Sequence, residues 1–452
     1  MKISDVARLF KAEINADDVH IKSVSTDTRS IEAGALFVAL KGENFDAHDY
    51  LDLAAEKGAI AALVDHDVQT ALPTIRVKDT RLALGQLASY WRQQLNIKVV
   101  GLTGSNGKTT VKEMLSCILS EVGSVVATAG NYNNDIGLPL TLLRMKPEHE
   151  FAVIEMGANH IGEIAYLTQL TKPDVALLNN AAPAHLEGFG SMQGIADAKG
   201  EIFSGLTEKG VAVINMDDHY ADYWTSLCDD HKKIFFGLND AADVSAQCDE
   251  SKYNGVFALK VNAEEVTVKL SVLGFHNLKN ALAASAAASA LGIDIAAIKK
   301  GLENFKGVKG RLQVNPVMND SVVIDDSYNA NPASVKAAID VLSSQQKESI
   351  LILGDMGELG QDAGKLHADI GQYAKDKNIN KLMTFGQLSA FAVQSFGENG
   401  FSYEDKNELI KDVKKQLKQG VAVLVKGSRS MHMEDVVAAL IEDNSPGAAS
   451  CY

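Results

Sequence analysis

The stretch Val99-Val100-Gly101-Leu102-Thr103-Gly104-Ser105-Asn106-Gly107-Lys108-Thr109-Thr110 decides the fold of this chain. Its apolar start reads as a buried strand, its centre as a Gly-rich loop, and the following Val111-Lys112-Glu113-Met114-Leu115 as the opening of a helix. A phosphate cradle needs those parts. The glycines let backbone N–H groups turn inward onto an anion, the helix N-terminus adds positive potential, and Lys108 reaches the outer phosphates. The Thr109 hydroxyl can sit on a magnesium ion, with Thr110 beside it. The common form of this loop has a further Gly five residues before the Gly-Lys pair; here that position is Leu102. The same residues can also be read as an ordinary strand–turn–helix corner carrying a solvated lysine.

Working outward, strand–loop–helix units recur on both sides of the loop. Before it, the periodicity predicts a helix over 3–10, strands over 34–42, 59–64 and 74–77, and a helix over 82–94. After it, strands are expected over 151–157, 174–180 and 210–218, a strand-rich insert over 232–272, and an Ala-rich helix from about 275. Four more strands, near 321–324, 349–353, 380–385 and 420–425, read as an open Rossmann-like sheet. Polar residues collect at the strands' C-terminal ends, where ligands gather in such sheets. Glu155 closes one strand and can hold magnesium. His185 lies in a Gly-flanked loop, Lys199 stands among small residues of the next helix, and Asn277 and Asn280 share one helix face. In the N-terminal part, Thr26, Asp27, Arg29 and Lys41 can bind a phosphate or uracil group. They can equally cap turns, with Arg29 paired to a carboxylate.

A chain of 452 residues exceeds one ordinary core, so two to four domains are expected. The 22% charged and 46% hydrophobic content is that of a globular protein, and a net charge of −15 argues against a broad nucleic-acid or anionic-membrane surface. The N-terminus lacks a signal peptide's apolar core, and the run 281–291 is too short to span a bilayer. Four scattered cysteines without paired spacing point to a reducing compartment. The expected location is the cytoplasm.

Taken together, these motifs resemble the Mur ligases, cytoplasmic ATP-dependent enzymes that build the peptide of bacterial peptidoglycan. The match runs in order along essentially the whole chain. It takes in residues 25–29 and 34–42, the phosphate loop with its missing first Gly, Asn133-Asn134-Asp135-Ile136-Gly137, Glu155, His185, Lys199, His276-Asn277 and Gly310-Arg311. Asp326-Ser327-Tyr328-Asn329-Ala330-Asn331-Pro332 and Lys426-Gly427-Ser428-Arg429 complete it. The last two motifs resemble the branch that adds a D-alanyl-D-alanine dipeptide, and the Asp-Asn-Pro-x-Arg-type motif of the third-residue branch is missing. A nucleotide-dependent switch protein would need neither the polar C-terminal strand ends nor the His185–Lys199 cluster.

The resemblance implies an α/β fold in three domains. These are a small N-terminal UDP-substrate domain (1–82), a central phosphate-loop ATPase sheet domain (83–312) and a C-terminal Rossmann-like ligase domain (313–452). It implies that ATP phosphorylates the terminal carboxylate of a UDP-N-acetylmuramoyl-tripeptide, and that the amine of D-alanyl-D-alanine displaces the phosphate. It also implies catalytic roles for Lys108, Glu155, His185 and Lys199, and two magnesium ions held by Thr109, Glu155, His185 and a carbamylated Lys199. Asn277, Asn280, Arg311 and Asp326 would meet the nucleotide. Thr26, Asp27, Arg29 and Lys41 would face the uridine diphosphate. Asn134, Asp135, Ser327, Tyr328, Asn329, Asn331, Lys426 and Arg429 would line the peptide and dipeptide sites. A monomer that inserts into no membrane and binds no nucleic acid is expected.

Overall fold

Three sheets follow one another along the chain, each built mainly from parallel strands with apolar side chains on both faces. The computed structural model describes residues 1–14, 17–183, 186–250, 253–317, 319–345, 347–417 and 419–442. Parallel strands covered on both faces read as continuous apolar runs, which is the pattern of Ala35–Val38, Val175–Leu178 and Val421–Lys426.

The first sheet has four parallel strands, Ser23–Ser25, Ala35–Val38, Ala59–Val64 and Thr74–Arg76, in that order. The amphipathic helix Ile3–Phe10 covers it by burying Ile3, Val6 and Ala7. Helix Thr80–Gln93 leads out of this region. The Asp79 side chain caps it by accepting from the Leu82 N–H, and its apolar face buries Leu84 and Leu87.

The second sheet has nine strands, and the strand Lys98–Thr103 sits within it between Phe151–Glu155 and Val175–Leu178. The chain leaves Lys98–Thr103 toward one edge of the sheet, returns through Val125–Ala127 and Phe151–Glu155, and then crosses to the other side. The loop after Lys98–Thr103 therefore opens at a topological switch point, where doubly wound sheets bind ligands. Alternation along this strand divides two cores. Val99 packs with Leu138 and Leu142, while Val100 and Leu102 pack with Met114, Leu115 and Leu282.

The region 232–272 is not an insert. Lys232–Gly237 and Val244–Gln247 continue the sheet in parallel, and the antiparallel pair Val256–Val261 and Glu264–Lys269 finishes its edge. One face of these strands, including Phe257, Leu259 and Val268, packs into the same core as the Ala-rich helix Phe275–Ala290. Alternation reports one buried face but not which neighbour buries it, so the sequence pattern suited an insert equally well.

The third sheet runs Gln313–Pro316, Val322–Asp326, Val421–Lys426, Glu348–Gly354, Lys381–Phe385 and Gly400–Tyr403. The four inner strands are those expected. The two outer ones, four residues each and without a buried position, carry little periodic signal.

Candidate active site

The C-terminal ends of the second and third sheets face one cavity of about 1130 Å³, to which Asp79 and Arg81 also contribute. Ser105, Asn106, Gly107, Lys108, Thr109, Thr110, Asn134, Asp135 and Glu155 line it from the central region, with Asn277 and Asn280. Arg311, Asp326, Tyr328, Asn329, Asn331 and Lys426 line it from the C-terminal side.

The phosphate loop is clamped before any ligand arrives. The Ser105 N–H donates to the Asn180 carbonyl at 3.0 Å, and the Asn106 N–H donates to Asn180 Oδ1 at 2.9 Å. Asn179 Nδ2 and Asn180 Nδ2 both donate to the Asn106 carbonyl. Gly107 takes φ +79°, and a Cβ there would meet Asn280 Oδ1 at 2.2 Å, so only glycine fits. Gly104 lies beneath the loop, against Asn179, rather than on the cavity wall. Helix Lys108–Ser120 starts immediately after, without a side-chain cap, and its first residues Lys108, Thr109 and Thr110 line the cavity. Lys108 Nζ donates to the carbonyls of Gly104 (2.7 Å) and Ser105 (3.3 Å). Burial holds its pKa below the ordinary lysine value; nearby Glu155 opposes that shift and Arg311 adds to it.

Glu155 is 2% exposed. Asn133 Nδ2 donates to its Oε1 at 2.9 Å, while Oε2 is buried with no hydrogen-bond partner among the described residues. A buried carboxylate oxygen without a donor is costly unless a cation meets it. Together with the Thr109 hydroxyl beside the loop, this donor set fits a hard, oxygen-seeking ion such as magnesium.

Lys199, in helix Met192–Gly200, is buried and stands 5.1 Å from the centre of the Phe189 ring. Burial, helped by the charge of Lys108, pulls its pKa down to about 7 against the opposing pull of Glu163 and Glu201. Its amine therefore gives up its proton far more readily than an ordinary lysine, and in the neutral form it can act as a nucleophile. His185 lies outside the described residues.

Across the cleft, Lys426 Nζ donates to Asp326 Oδ2 at 2.5 Å and to the Asn329 carbonyl at 3.0 Å, forming a buried ion pair. Arg311 lies over the Tyr328 ring at 4.2 Å. Asn331 does two things at once. Its Oδ1 accepts from the Ser334 N–H and caps helix Pro332–Ser343, while its Nδ2 donates to Asn106 Oδ1 at 2.8 Å, joining the third sheet to the phosphate loop. Asn277 and Asn280 are buried; Asn280 Nδ2 donates to Asn277 Oδ1, and Asn280 Oδ1 accepts from Asn179 Nδ2.

The remaining expected residues do not line the cavity. Ser327 is buried, with its hydroxyl on Asp325. Arg429 is paired with Glu434 at 2.8 Å. Asp27 and Arg29 form a two-point ion pair that pulls the Asp27 carboxyl down to about 2, and Lys41 pairs with Asp46. Thr26 adjoins Asp27 on the N-terminal region. Within the cavity, Asp135 is held by Arg81, and Asn134 accepts from the Gly137 N–H. Sequence reading gives no separate role to Asn133, Asn179, Asn180 or His276, and Asn133 enters it only within the motif 133–137. The strand-end rule pointed toward the two strand-end asparagines, and His276, pushed down to about 4 by burial, was quoted only as part of a motif.

Comparison with known proteins adds three family matches in chain order. Residues 20–92 match the "Mur ligase family, catalytic domain", 102–288 the "Mur ligase middle domain", and 310–429 the "Mur ligase, glutamate ligase domain". The chain is similar to the UDP-N-acetylmuramoyl-tripeptide–D-alanyl-D-alanine ligase of Escherichia coli, with 46% identity over 98% of this chain and 99% of the relative. Among solved structures it is similar to MurF from Acinetobacter baumannii, with TM-score 0.91, 36% identity, and coverage of 97% of this chain and 98% of that one. It is also similar to MurF ligase from Thermotoga maritima in complex with ADP, with TM-score 0.83, 29% identity, and coverage of 94% and 98%.

Proposed function

We infer the reaction from one premise: this chain belongs to the Mur ligase family. It is an ATP-dependent ligase that joins D-alanyl-D-alanine to UDP-N-acetylmuramoyl-tripeptide, giving the UDP-linked pentapeptide precursor of peptidoglycan. The observation that carries the mechanism is the single cavity shared by the phosphate loop and the strand ends of the third sheet. A phosphoryl donor and an incoming amine can meet there.

A carboxylate oxygen of the tripeptide attacks the γ-phosphorus of ATP, and ADP leaves. The dipeptide amine then attacks the acyl carbon, loses a proton, and the tetrahedral oxyanion collapses with loss of phosphate. Both steps gather negative charge, so they need fixed cations. Lys108 exchanges its loop carbonyls for the γ-phosphoryl oxygens. Glu155 and Thr109 would hold one magnesium ion; a carbamylated Lys199 and His185 would hold a second. Magnesium, when bound, neutralises charge developing on the transferred phosphoryl group. The neutral amine of Lys199 supports carbamylation, because only an unprotonated amine can add to carbon dioxide. Asn277, Asn280, Asp326 and Arg311 contact the nucleotide. Asn134, Asp135, Tyr328, Asn329, Asn331 and Lys426 orient the two peptides, with Ser327 and Arg429 behind them. Thr26, Asp27, Arg29 and Lys41 receive the uridine diphosphate. The division into 1–82, 83–312 and 313–452 assigns UDP-substrate, ATP and dipeptide to successive parts.

We read the enzyme as a cytoplasmic monomer that binds no nucleic acid. The free Cys117, Cys228 and Cys248 support a reducing compartment. Among the described residues, no helix is long and apolar enough to cross a membrane. A solution mass near 48.4 kDa checks the monomer.

The test is amine selectivity. Purified protein with UDP-tripeptide, ATP and magnesium should release phosphate with D-alanyl-D-alanine. Release with diaminopimelate or glutamate, but not with the dipeptide, would overturn the assignment.

A further inference from the structure

Outside the cavity, one cluster has ligand chemistry that the ligation reaction does not use. The strand Ala59–Val64 ends at Asp65 and His66, and these meet His48 of the short helix Ala47–Tyr50. One ligand atom from each of the three lies within 4.8 Å of the other two, with Asp65 Oδ1 at 3.3 Å from His48 Nε2 and 2.5 Å from His66 Nδ1. None of the three lines the large cavity. From this geometry we propose that His48, Asp65 and His66 form a binding site for a zinc-class transition-metal ion on the N-terminal sheet.

The donor set selects the ion. Two imidazole nitrogens and one carboxylate oxygen suit zinc, cobalt or nickel, whereas magnesium prefers oxygens and keeps its waters. The site is thus chemically distinct from the one at Glu155.

The arrangement around His48 is the one that ligating histidines use. Its ring is nearly buried, with the side chain 3% exposed, and Nδ1 lies 2.6 Å from Asp46 Oδ1. A carboxylate there fixes the proton on Nδ1 and leaves the Nε2 lone pair on the side of Asp65. The contact that Nε2 accepts now, from the Asp65 N–H, is long at 3.3 Å and readily exchanged. Asp46 is itself anchored by Lys41 at 3.1 Å, so the second shell is already built.

Distances agree in part and show which side chain must move. An ion with tetrahedral bonds of about 2.05 Å holds its ligand atoms about 3.3 Å apart. His48 Nε2 and Asp65 Oδ1 are 3.3 Å apart as they stand. His66 Nδ1 is 2.5 Å from Asp65 Oδ1 and must swing outward by a little under about 1 Å to meet that spacing. It is free to do so, since its side chain is 52% exposed. The two rings already lie 4.3 Å apart at 41°. Occupancy would fasten the segment carrying Lys41 and Asp46 to the end of strand Ala59–Val64.

The experiment uses the untagged full chain, stripped with chelator and held in saturating magnesium. Cobalt(II) is titrated while absorbance is followed between about 500 and 650 nm, where tetrahedral cobalt absorbs strongly. One equivalent should produce the band, and zinc should erase it. His66→Ala, at an exposed position that leaves the core intact, should weaken binding at least tenfold, and Asp65→Asn likewise. Asp46→Asn should weaken it about tenfold through His48. Glu155→Gln should leave the titration unchanged. In a thermal melt, zinc should raise the midpoint of the wild-type chain but not of His66→Ala. Absence of the band, or a His66→Ala titration superimposing on the wild type, would overturn the site.

Discussion

Replacing Lys199 by methionine should abolish ligation and stabilise the protein at the same time. The side chain is 2% exposed and is held at a pKa of about 7, chiefly by burial. Moving an ammonium from its ordinary 10.5 to about 7 corresponds to about 5 kcal/mol of unfavourable environment. Methionine has similar length and no charge, so it should recover part of that. Recovering half, about 2.5 kcal/mol, would raise the melting temperature by about 5–10 °C for a domain of this size. The pH dependence has a definite sign. Between pH 7 and 10.5 the unfolded chain keeps the lysine proton that the folded chain releases, so wild-type stability rises with pH across that window. The gain from methionine should be largest below pH 7 and shrink toward pH 9. The assay is a melt series from pH 6 to 9 in bicarbonate-free buffer, paired with phosphate release under saturating substrates. At pH 7 about half of the wild-type amine is neutral, against roughly one in three thousand for an ordinary lysine, so bicarbonate should stimulate the wild type alone. A methionine variant that melts below the wild type at pH 6, or that retains normal turnover, would refute the reasoning.

Three further outcomes can be checked. Lys108→Ala should lower kcat by about 10²–10³-fold or more with an unchanged circular-dichroism spectrum, because the loss is of charge stabilisation and not of core packing; near-normal turnover would remove its assigned role. Gly107→Ala should cost about 1–3 kcal/mol in chemical denaturation and weaken ATP binding, since φ +79° and the close approach of Asn280 both oppose a Cβ. Asn331→Ser should keep the helix cap and change stability by less than about 0.5 kcal/mol, yet lose the bond to Asn106 and reduce kcat/KM about fivefold; unchanged kinetics would mean that the bond carries no functional weight.

Much of the site was legible in the sequence because it is local. A strand, two glycines, a lysine and a helix start fall within twelve residues, and Glu155 closes an unmistakable apolar run. The supports of that site were not legible. Asn179 and Asn180 act on the loop from more than seventy positions away, through hydrogen bonds that only the order of strands brings together. Asn331 reaches Asn106 across 225 positions. Asparagine at a strand end or a helix cap has ordinary local uses, and sequence alone does not reveal when a second partner lies across a cleft. The edge strands Gln313–Pro316 and Gly400–Tyr403 escaped for a different reason: hydrogen bonds to one neighbour, rather than apolar burial, hold them in the sheet.

The bond between Asn331 and Asn106 has a thermodynamic corollary. In the proposed reaction Asn106 belongs to the loop assigned to the nucleotide, and Asn331 caps the helix assigned to the dipeptide side. Where two ligands each strengthen or break this bond from their own end, each alters the other's affinity, and by the same factor in both directions. A neutral hydrogen bond contributes about 1 kcal/mol, so the two affinities would be linked by about fivefold. Order of addition would then be partly a property of one asparagine pair. Measuring nucleotide affinity with and without dipeptide, and dipeptide affinity with and without nucleotide, should return the same ratio, and Asn331→Ser should bring both ratios toward one.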